Sequence, residues 1–274
     1  SLCLIRFKDS FSPYLFSYIF QSNFIDQQLV ESSKQSTVIN LHLDKIRELV
    51  LIKPSIQEQQ QISNYLDHKT LKIDSLIEMS QQKIELLKEQ RTSLINHMVT
   101  KGLNPDVEMK NSGVEWIGEI PSGWRIVKVK YLGSVNSGEG LESRFIEPEG
   151  EFPVYGGNGV MGFFSEYNSD KEILIIGRVG EKCGNVHYEQ TKVWVNDNSL
   201  IFIPFNNKTI FLLYLFYTLT QRDLNLLRNQ NTQPLITGTL VKNEHTPFPP
   251  LPEQQQIVDH LDKGTTKIDS TIEK

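Results

Sequence analysis

The stretch "EQQQISNYLDHKTLKIDSLIE" (58–78) returns near the end of the chain as "EQQQIVDHLDKGTTKIDSTIE" (253–273), 195 positions later. Fourteen of the twenty-one residue pairs are identical, among them Asp67 with Asp262 and Ile73 with Ile268. The separation is too long for a solenoid, whose repeats run about 20–50 residues. The repeat therefore predicts a duplicated pair of domains.

The match extends upstream of the Gln-rich stretch. "YLF" at 14–16 parallels "YLF" at 214–216, and "SLCLIRF" (1–7) parallels "SLIFIPF" (199–205). In this alignment only the last third of the first repeat unit is present. The second Gln-rich helix ends at the position equivalent to Met79, before the first one does. We therefore expect a chain that is cut at both ends.

Each Gln-rich stretch opens a pattern of apolar residues in 4–3 spacing, which is typical of a coiled-coil seam. Ser55 or Pro54 gives a start and "KGLNP" (101–105) a stop, so the first helix would span about 40 residues. The seam positions are Leu66, Ile73, Ile77, Ile84, Leu87 and Leu94, and in the twin Leu261, Ile268 and Ile272.

We expect the upper part of this seam to pack against the twin helix. That arrangement would leave Ile84, Leu87, Leu94 and Met98 without a partner inside the chain. Exposed apolar surface of this kind binds another protein surface. Self-association through the helices, or capture by a partner subunit, is therefore predicted. A helical hairpin that only adds stability is the simpler alternative.

Residues 113–250 alternate short apolar segments with Gly-rich turns, which predicts an α+β domain. A broad apolar face predicts a helix within 210–228. Strands are predicted within four segments, 125–135, 171–180, 192–197 and 199–205.

The composition sets limits on the class of protein. Hydrophobic residues make up 38% of the chain, which is enough for a buried core, and the net charge is −5. No apolar run reaches the roughly 18–20 residues of a membrane span, so a cytoplasmic protein is expected. The two cysteines, Cys3 and Cys183, and the six scattered histidines predict neither a disulfide framework nor a metal site.

Catalytic motifs are not found in the sequence. It contains no phosphate-binding loop, and "PFPP" (247–250) differs from the Asn/Asp-Pro-Pro-aromatic tetrad of base methyltransferases. Cys183 and His187 could form a thiol nucleophile and its base, but such a spacing is more often incidental. The sequence therefore favours a non-enzymatic protein.

Polar side chains decorate the Gly-rich segments "YGGNGVMGFF" (155–164), "GRVGEKCGN" (177–185) and "RNQNTQP" (228–234). Asn and Gln suit adenine, Arg and Lys suit guanine or phosphate, and Gly permits close backbone approach. We therefore predict a DNA-binding face that includes Asn158, Arg178, Lys182 and Gln233. The alternative is that these segments are simply tight loops.

Five segments in one order resemble a known family: "WIGEIPSGW", "YGGNG", "LIIGRVG" with "CGNV", "DNSLIF", and "PPLPEQQQIVDHLD" with "KID". Together they resemble the DNA specificity subunit of type I restriction–modification systems. The resemblance implies four regions: the end of a first target recognition domain (1–50), a central spacer helix (51–108), a second target recognition domain (109–250), and the start of a last conserved helix (251–274).

The resemblance also implies a function. Each recognition domain would read one half of a bipartite target in double-stranded DNA, and the helices would set the gap. No cofactor is expected in this chain. Methylation with S-adenosylmethionine would belong to methyltransferase subunits, and ATP- and Mg-dependent cleavage to restriction subunits bound through them. A coiled-coil scaffold that binds proteins but no DNA is the alternative.

Overall fold

The computed structural model describes residues 5, 11–33, 46–206, 209–228 and 234–273. The chain divides into two compact units, Ser1–Lys83 and Ile84–Lys274. The strand predicted for 1–7 lies, apart from position 5, outside the described residues. The domain boundaries predicted at 50, 108 and 250 stay predictions.

Among the described residues of the first unit, helices α1 (Pro13–Phe20) and α2 (Asn23–Ser33) precede the start of a much longer helix, whose later residues belong to the second unit. Helix α1 begins with a proline, whose fixed φ suits the first helical turn and whose missing N–H would have had no partner there. Helix α2 follows, and Leu15, Phe16 and Ile25 are buried. These apolar residues give the described part of the unit a small core.

Helix α3 (Ile56–Lys101) has 46 residues, about 69 Å at 1.5 Å per residue. Ser55 and Glu58 form a capping box at its start: the Ser55 N–H donates to Glu58 Oε2 (2.9 Å), and the Glu58 N–H donates to Ser55 Oγ (3.3 Å). Hydrogen bonds from the Ser55 hydroxyl and N–H lower the pKa of Glu58. Gly102, at φ +75°, ends the helix in the left-handed conformation that glycine favours. The predicted start and stop are confirmed.

Besides the end of α3, the described residues of the second unit contain eleven short strands and three α-helices. The strands are β1 (Met109–Asn111), β2 (Glu119–Pro121), β3 (Arg125–Lys128), β4 (Gly133–Ser137), β5 (Phe152–Gly156), β6 (Gly159–Phe164), β7 (Ile173–Gly177), β8 (Val186–Glu189), β9 (Trp194–Val195), β10 (Ser199–Pro204) and β11 (His245–Phe248). The helices are α4 (Leu212–Arg222), α5 (Gly238–Asn243) and α6 (Leu251–Ile272).

Among the described residues these strands form four small sheets, ordered β1–β2, β4–β10–β7–β8, β11–β3 and β6–β5–β9. Neighbours are antiparallel except β5 and β9, which are parallel. The α+β class is confirmed.

The prediction of a single strand within 125–135 is wrong. The segment forms two strands, because β3 pairs with β11 whereas β4 pairs with β10. The turn Val129–Tyr131 separates them, and the Val129 N–H donates to the Glu244 carbonyl (2.9 Å) at that point. Strands β7, β9 and β10 and helix α4 lie within the segments predicted for them.

Strand β7 lies at the centre of the core, and all five of its residues are buried. Successive side chains of a strand point to opposite faces. Leu174 and Ile176 accordingly pack in one cluster with α4, whereas Ile173 and Ile175 pack in another with Val193 and Val195. This apolar segment therefore joins α4 and the two larger sheets into one body.

Helix α6 packs antiparallel on the C-terminal third of α3. Leu261 shares a buried cluster with Ile95 and Val99. A Cβ atom at Gly264 would lie 2.7 Å from Leu94 Cδ2, so glycine permits this close approach. Arg91 Nε donates to Asp269 Oδ1 (3.0 Å) further along the pair.

This packing corrects the predicted seam. Leu94 and Met98 pack against the cluster that contains Leu261, so they do have a partner inside the chain. The upper seam positions Ile73 and Ile77 stay 55% and 50% exposed, while Leu66, Ile84 and Leu87 are partly buried. The prediction followed the repeat register, whereas the antiparallel pairing places the twin helix on the later part of α3.

The upstream alignment of the repeat also needs a correction of one residue. Tyr18 donates to Asp67 as Tyr217 donates to Asp262, so the equivalent positions differ by 199 rather than 200. Tyr14 is consequently not the counterpart of Tyr214. Their environments agree with this, because Tyr14 is 71% exposed and Tyr214 is 1% exposed.

Candidate nucleic-acid interface

Four connections gather at one end of the two larger sheets. Ser137 at the end of β4 lies opposite Leu200 in β10, and Gly177 at the end of β7 lies opposite Ser199. The end of β5 lies beside them, because the Asn196 N–H donates to the carbonyl of Tyr155 in that strand (2.9 Å), and the β5–β6 connection follows two residues later. We refer to residues 137–140, 157–158, 178–185 and 196–198 as the loop cluster.

The base of the loop cluster is held by backbone-to-backbone packing at glycines. A Cβ atom at Gly177 would lie 2.3 Å from the Gly157 carbonyl oxygen. A Cβ atom at Gly157 would lie 2.6 Å from the Val179 carbonyl oxygen. No side chain fits at either position, so glycine is what lets these loops meet.

Arg178 connects three of these loops. Its N–H donates to the Asn198 carbonyl (2.9 Å), and its carbonyl accepts from the Ile236 N–H (2.8 Å). Its guanidinium Nη1 donates to Ser137 Oγ (3.2 Å) and to the Asp197 carbonyl (3.3 Å). The structure thus places Arg178 in the loop cluster, where part of its donor capacity holds the loops together.

Asn158 and Lys182 project from the same surface. Asn158 is exposed in the two-residue connection between β5 and β6, and Lys182 is exposed in the turn after β7. Within the described part of the chain, neither side chain makes a hydrogen bond, so both can contact a ligand. Gln233, the fourth predicted contact, lies outside the described residues.

Asn225 is a positioning residue that the sequence did not reveal. Its Nδ2 donates to the carbonyls of Glu181 (3.0 Å) and Cys183 (2.7 Å), which flank Lys182. Ser137, which accepts from Arg178, was missed as well. Both roles depend on contacts between distant segments, and neither residue belongs to a local pattern.

The structure contradicts the alternative in which Cys183 and His187 form a thiol nucleophile and its base. Cys183 is buried in the cluster on the α4 side of the sheet, and burial raises the pKa of its thiol. His187 lies opposite Ile175, which belongs to the other cluster, and its ring centroid is 5.5 Å from that of Tyr155. Burial lowers the pKa of His187, an effect that Glu189 partly opposes. The two side chains therefore lie on opposite faces of the sheet.

Among the described residues, no group of three or more His, Cys, Asp and Glu side chains could hold a metal ion. No described helix is both long and apolar enough to cross a membrane.

Known proteins are similar to this chain in sequence and in fold. A family model for the type I restriction modification DNA specificity domain matches residues 121–274. The EcoprrI specificity subunit of Escherichia coli is 29% identical over 122 residues, 44% of this chain and 30% of that protein. The putative MjaX specificity subunit of Methanocaldococcus jannaschii is 25% identical over 275 residues, 93% of this chain and 61% of that protein. The chain thus spans less than two thirds of either relative.

Solved structures are similar to this chain over nearly its whole length. A chain from a study of complex assembly and conformational transition of the type I R-M system superposes with a TM-score of 0.75 at 16% identity, covering 97% of this chain and 66% of that one. The HsdS subunit of Thermoanaerobacter tengcongensis gives 0.56 at 17% identity, covering 96% and 64%. At these identities the likeness shows a shared fold. Because the family model covers more than half of the 274 residues, the chain belongs to the family of type I restriction modification DNA specificity domains.

Proposed function

We propose that this chain is the non-catalytic, sequence-reading subunit of a type I restriction–modification complex. In this proposal the loop cluster reads one half of a bipartite target in double-stranded DNA. The observation that carries the proposal is the convergence of four loops on a rigid backbone base, with Asn158 and Lys182 exposed on it. A rigid base suits sequence reading, because bidentate contacts to base edges need fixed donor and acceptor positions.

The side chains on the cluster suit this role. An Asn amide pairs with the N6 and N7 atoms of adenine, and a Lys ammonium donates to guanine or to phosphate. Residues 113–250 hold 12 Lys and Arg against 15 Asp and Glu. Since phosphate contacts normally dominate affinity, we propose that partner subunits supply much of the phosphate binding.

The proposed partners are methyltransferase subunits, with restriction subunits bound through them. S-adenosylmethionine, ATP and Mg²⁺ would then be bound by those subunits. Exposed apolar residues along α3 support a protein partner, among them Leu71, Leu76 and Met79. The same residues would serve a scaffold that binds no DNA, which is the competing function.

The deciding experiment measures methyl transfer to a library of randomised DNA duplexes by the methyltransferase subunit, with and without this chain. We expect methylation of one bipartite sequence only when the chain is present. Asn158→Ala should relax the preference at one base pair, at a cost of about 1–3 kcal/mol. Lys182→Ala should weaken binding and, if Lys182 contacts phosphate, reduce the salt dependence by about one unit of slope.

Asn243→Ala and Lys130→Ala are the matched controls. Both side chains are exposed, and both lie near Val129, at the end of β4 away from the loop cluster. These variants should methylate the wild-type sequence at the wild-type rate. Chain-dependent assembly with the methyltransferase but no sequence preference in the wild type would favour the scaffold instead.

A further inference from the structure

A buried glutamine joins two helix starts in each copy of the repeat. Gln254 Oε1 accepts from the N–H of Phe211, the residue that caps α4, and its Nε2 donates to the Pro249 carbonyl ahead of α6. Gln59 does the same in the first copy: it accepts from the capping Ser12 N–H (2.7 Å) and donates to the Pro54 carbonyl (2.9 Å). Both side chains are fully buried. Each amide therefore accepts from a cap N–H that has no intrahelical partner, and donates to a carbonyl just ahead of a second helix.

A tyrosine and an aspartate form a second link between the same two helices. The Tyr217 hydroxyl of α4 donates to Asp262 Oδ1 of α6 (2.7 Å). In the first copy the Tyr18 hydroxyl of α1 donates to Asp67 Oδ1 of α3 (2.6 Å). The residue one turn after each aspartate is a threonine beside the same hydroxyl. Two separate parts of the chain thus repeat the same set of hydrogen bonds.

Within the second unit this pair of links connects α6 to the loop cluster. We refer to α3 and α6 as the spacer helices. Leu215 and Leu219 of α4 pack on the sheet that carries the loops, whereas Tyr214 and Tyr217 pack in the cluster with α6. Helix α4 is therefore the layer between α6 and the loop-bearing sheet. Two layers of this kind place the sheet about 20 Å from the axis of α6. A rotation of about 10° at the links would move the sheet by about 3.5 Å, close to the 3.4 Å rise of one base pair.

We propose that Gln254 with Tyr217–Asp262, and Gln59 with Tyr18–Asp67, are positioning residues that fix each recognition unit on its own spacer helix and so determine the gap between the half-sites. The proposal rests on the sequence-reading function above. Hydrogen bonds suit this task better than apolar packing, because they are directional and lose strength steeply when misaligned. Apolar contacts around Leu261 stabilise the packing of α4 on α6, and the hydrogen bonds fix the orientation of one helix relative to the other.

The test measures the spacing of the target rather than its sequence. The chain with its methyltransferase is given duplexes whose half-site gap is the preferred length or one base pair shorter or longer. We expect Tyr217→Phe to keep the base preference of each half-site. Its selectivity between the preferred and neighbouring gaps should fall at least tenfold, and Tyr18→Phe should have the same effect.

Asp262 provides a rescue pair. Asp262→Asn keeps an oxygen that accepts the tyrosine hydrogen bond and should retain gap selectivity, whereas Asp262→Ala should lose it. Tyr188→Phe is the matched control, because Tyr188 donates to Glu172 (2.7 Å) within the sheet region and not to a spacer helix. It should leave gap selectivity at the wild-type value.

Each result bears on one of the two proposals. Wild-type gap selectivity in Tyr217→Phe and Asp262→Ala, with folding confirmed by thermal melting, would overturn the positioning role while leaving sequence reading intact. Equal loss in Asp262→Asn and Asp262→Ala would overturn it as well. If the wild-type complex methylates no specific sequence, the proposed function itself fails.

Discussion

The pKa of the Tyr217 hydroxyl reflects its burial and its hydrogen bond to Asp262. Tyr217 is buried, and it donates to Asp262, whose negative charge opposes formation of a tyrosinate beside it. Burial first, and then the hydrogen bond to Asp262, raise the pKa of Tyr217 to about 12 from 10.0. The folded chain therefore favours the neutral phenol, and ionisation in alkali weakens the folded state.

The consequence for stability follows from the direction of this shift. The contribution of neutral Tyr217 is complete below about pH 10 and is lost as the pH rises through about 12. We expect the free energy of unfolding of the wild type to fall over this range by on the order of 2 kcal/mol more than that of Tyr217→Phe. Denaturant titrations at successive pH values measure this difference.

Burial raises the pKa of Tyr155, Tyr188 and Tyr214 as well, so the absolute loss of stability in alkali has several sources. Those residues are present in both proteins, and the comparison isolates Tyr217. Parallel curves for the wild type and Tyr217→Phe would contradict the assigned burial of Tyr217 and its hydrogen bond to Asp262.

At the scale of elements, α3 shows two environments along one helix. Near its end, Ile95 and Val99 are buried against α6, and Arg91 pairs with Asp269. Towards its middle, Ile73 and Ile77 are half exposed. The apolar spacing is the same in both stretches, but only the later one is buried within the described structure.

This difference predicts unequal costs for the same mutation. Ile95→Ala should lower the free energy of unfolding by about 2–5 kcal/mol, because it removes buried methyl groups and leaves a cavity. Ile77→Ala at an exposed site of the same helix should change it by less than about 1 kcal/mol. Chemical denaturation of the two variants gives the comparison. Similar losses in both would contradict the packing of α6 on the later part of α3.

The sequence predicted the elements better than it predicted their partners. Helix α3 could be predicted because its capping pair Ser55 and Glu58, its spacing and Gly102 are local signals. The partner of α6 could not, because antiparallel packing depends on Gly264 meeting Leu94 and on Arg91 meeting Asp269. Those contacts join residues more than 160 positions apart, and periodicity reports only on neighbours.

The candidate interface followed the same rule. The meeting of the Gly-rich loops that carry Asn158 and Lys182 could be predicted, because glycines in such loops permit close backbone approach. The DNA contacts of the two side chains stay predictions. The structural role of Arg178 was not visible, since it depends on Ser137 and Asp197 arriving beside it. The one-residue error at Tyr14 arose because the two "YLF" segments were aligned by residue identity. The burial of Tyr14 and Tyr214, which tertiary packing determines, gives a different alignment.

At the scale of the whole molecule, assembly depends on the exposed apolar positions of α3. Ile73→Glu with Ile77→Glu should weaken self-association, or binding to the methyltransferase, by at least tenfold, because burying an apolar side chain of this size contributes about 1.5–3 kcal/mol. Light scattering over a concentration series and a binding titration with the methyltransferase measure the two outcomes. The 109–250 region should stay folded.

Gln82→Glu is the control for this prediction, because it adds a charge at an exposed polar position of the same helix. It should assemble as the wild type does. A monomer at high concentration, combined with normal methyltransferase binding by the double variant, would contradict an assembly role for this face of α3.

The glycine contacts beneath the loop cluster have an evolutionary consequence. Gly157 and Gly177 meet other loops through backbone atoms, so the base of the cluster depends little on which side chains stand at its tips. Mutations at Asn158 or Lys182 can therefore accumulate without loss of fold, whereas mutations at the two glycines are removed by selection for stability. Mutational tolerance is thus concentrated at the positions that we assign to reading DNA. A lineage can in this way acquire a new target sequence by small steps, each starting from a stable protein.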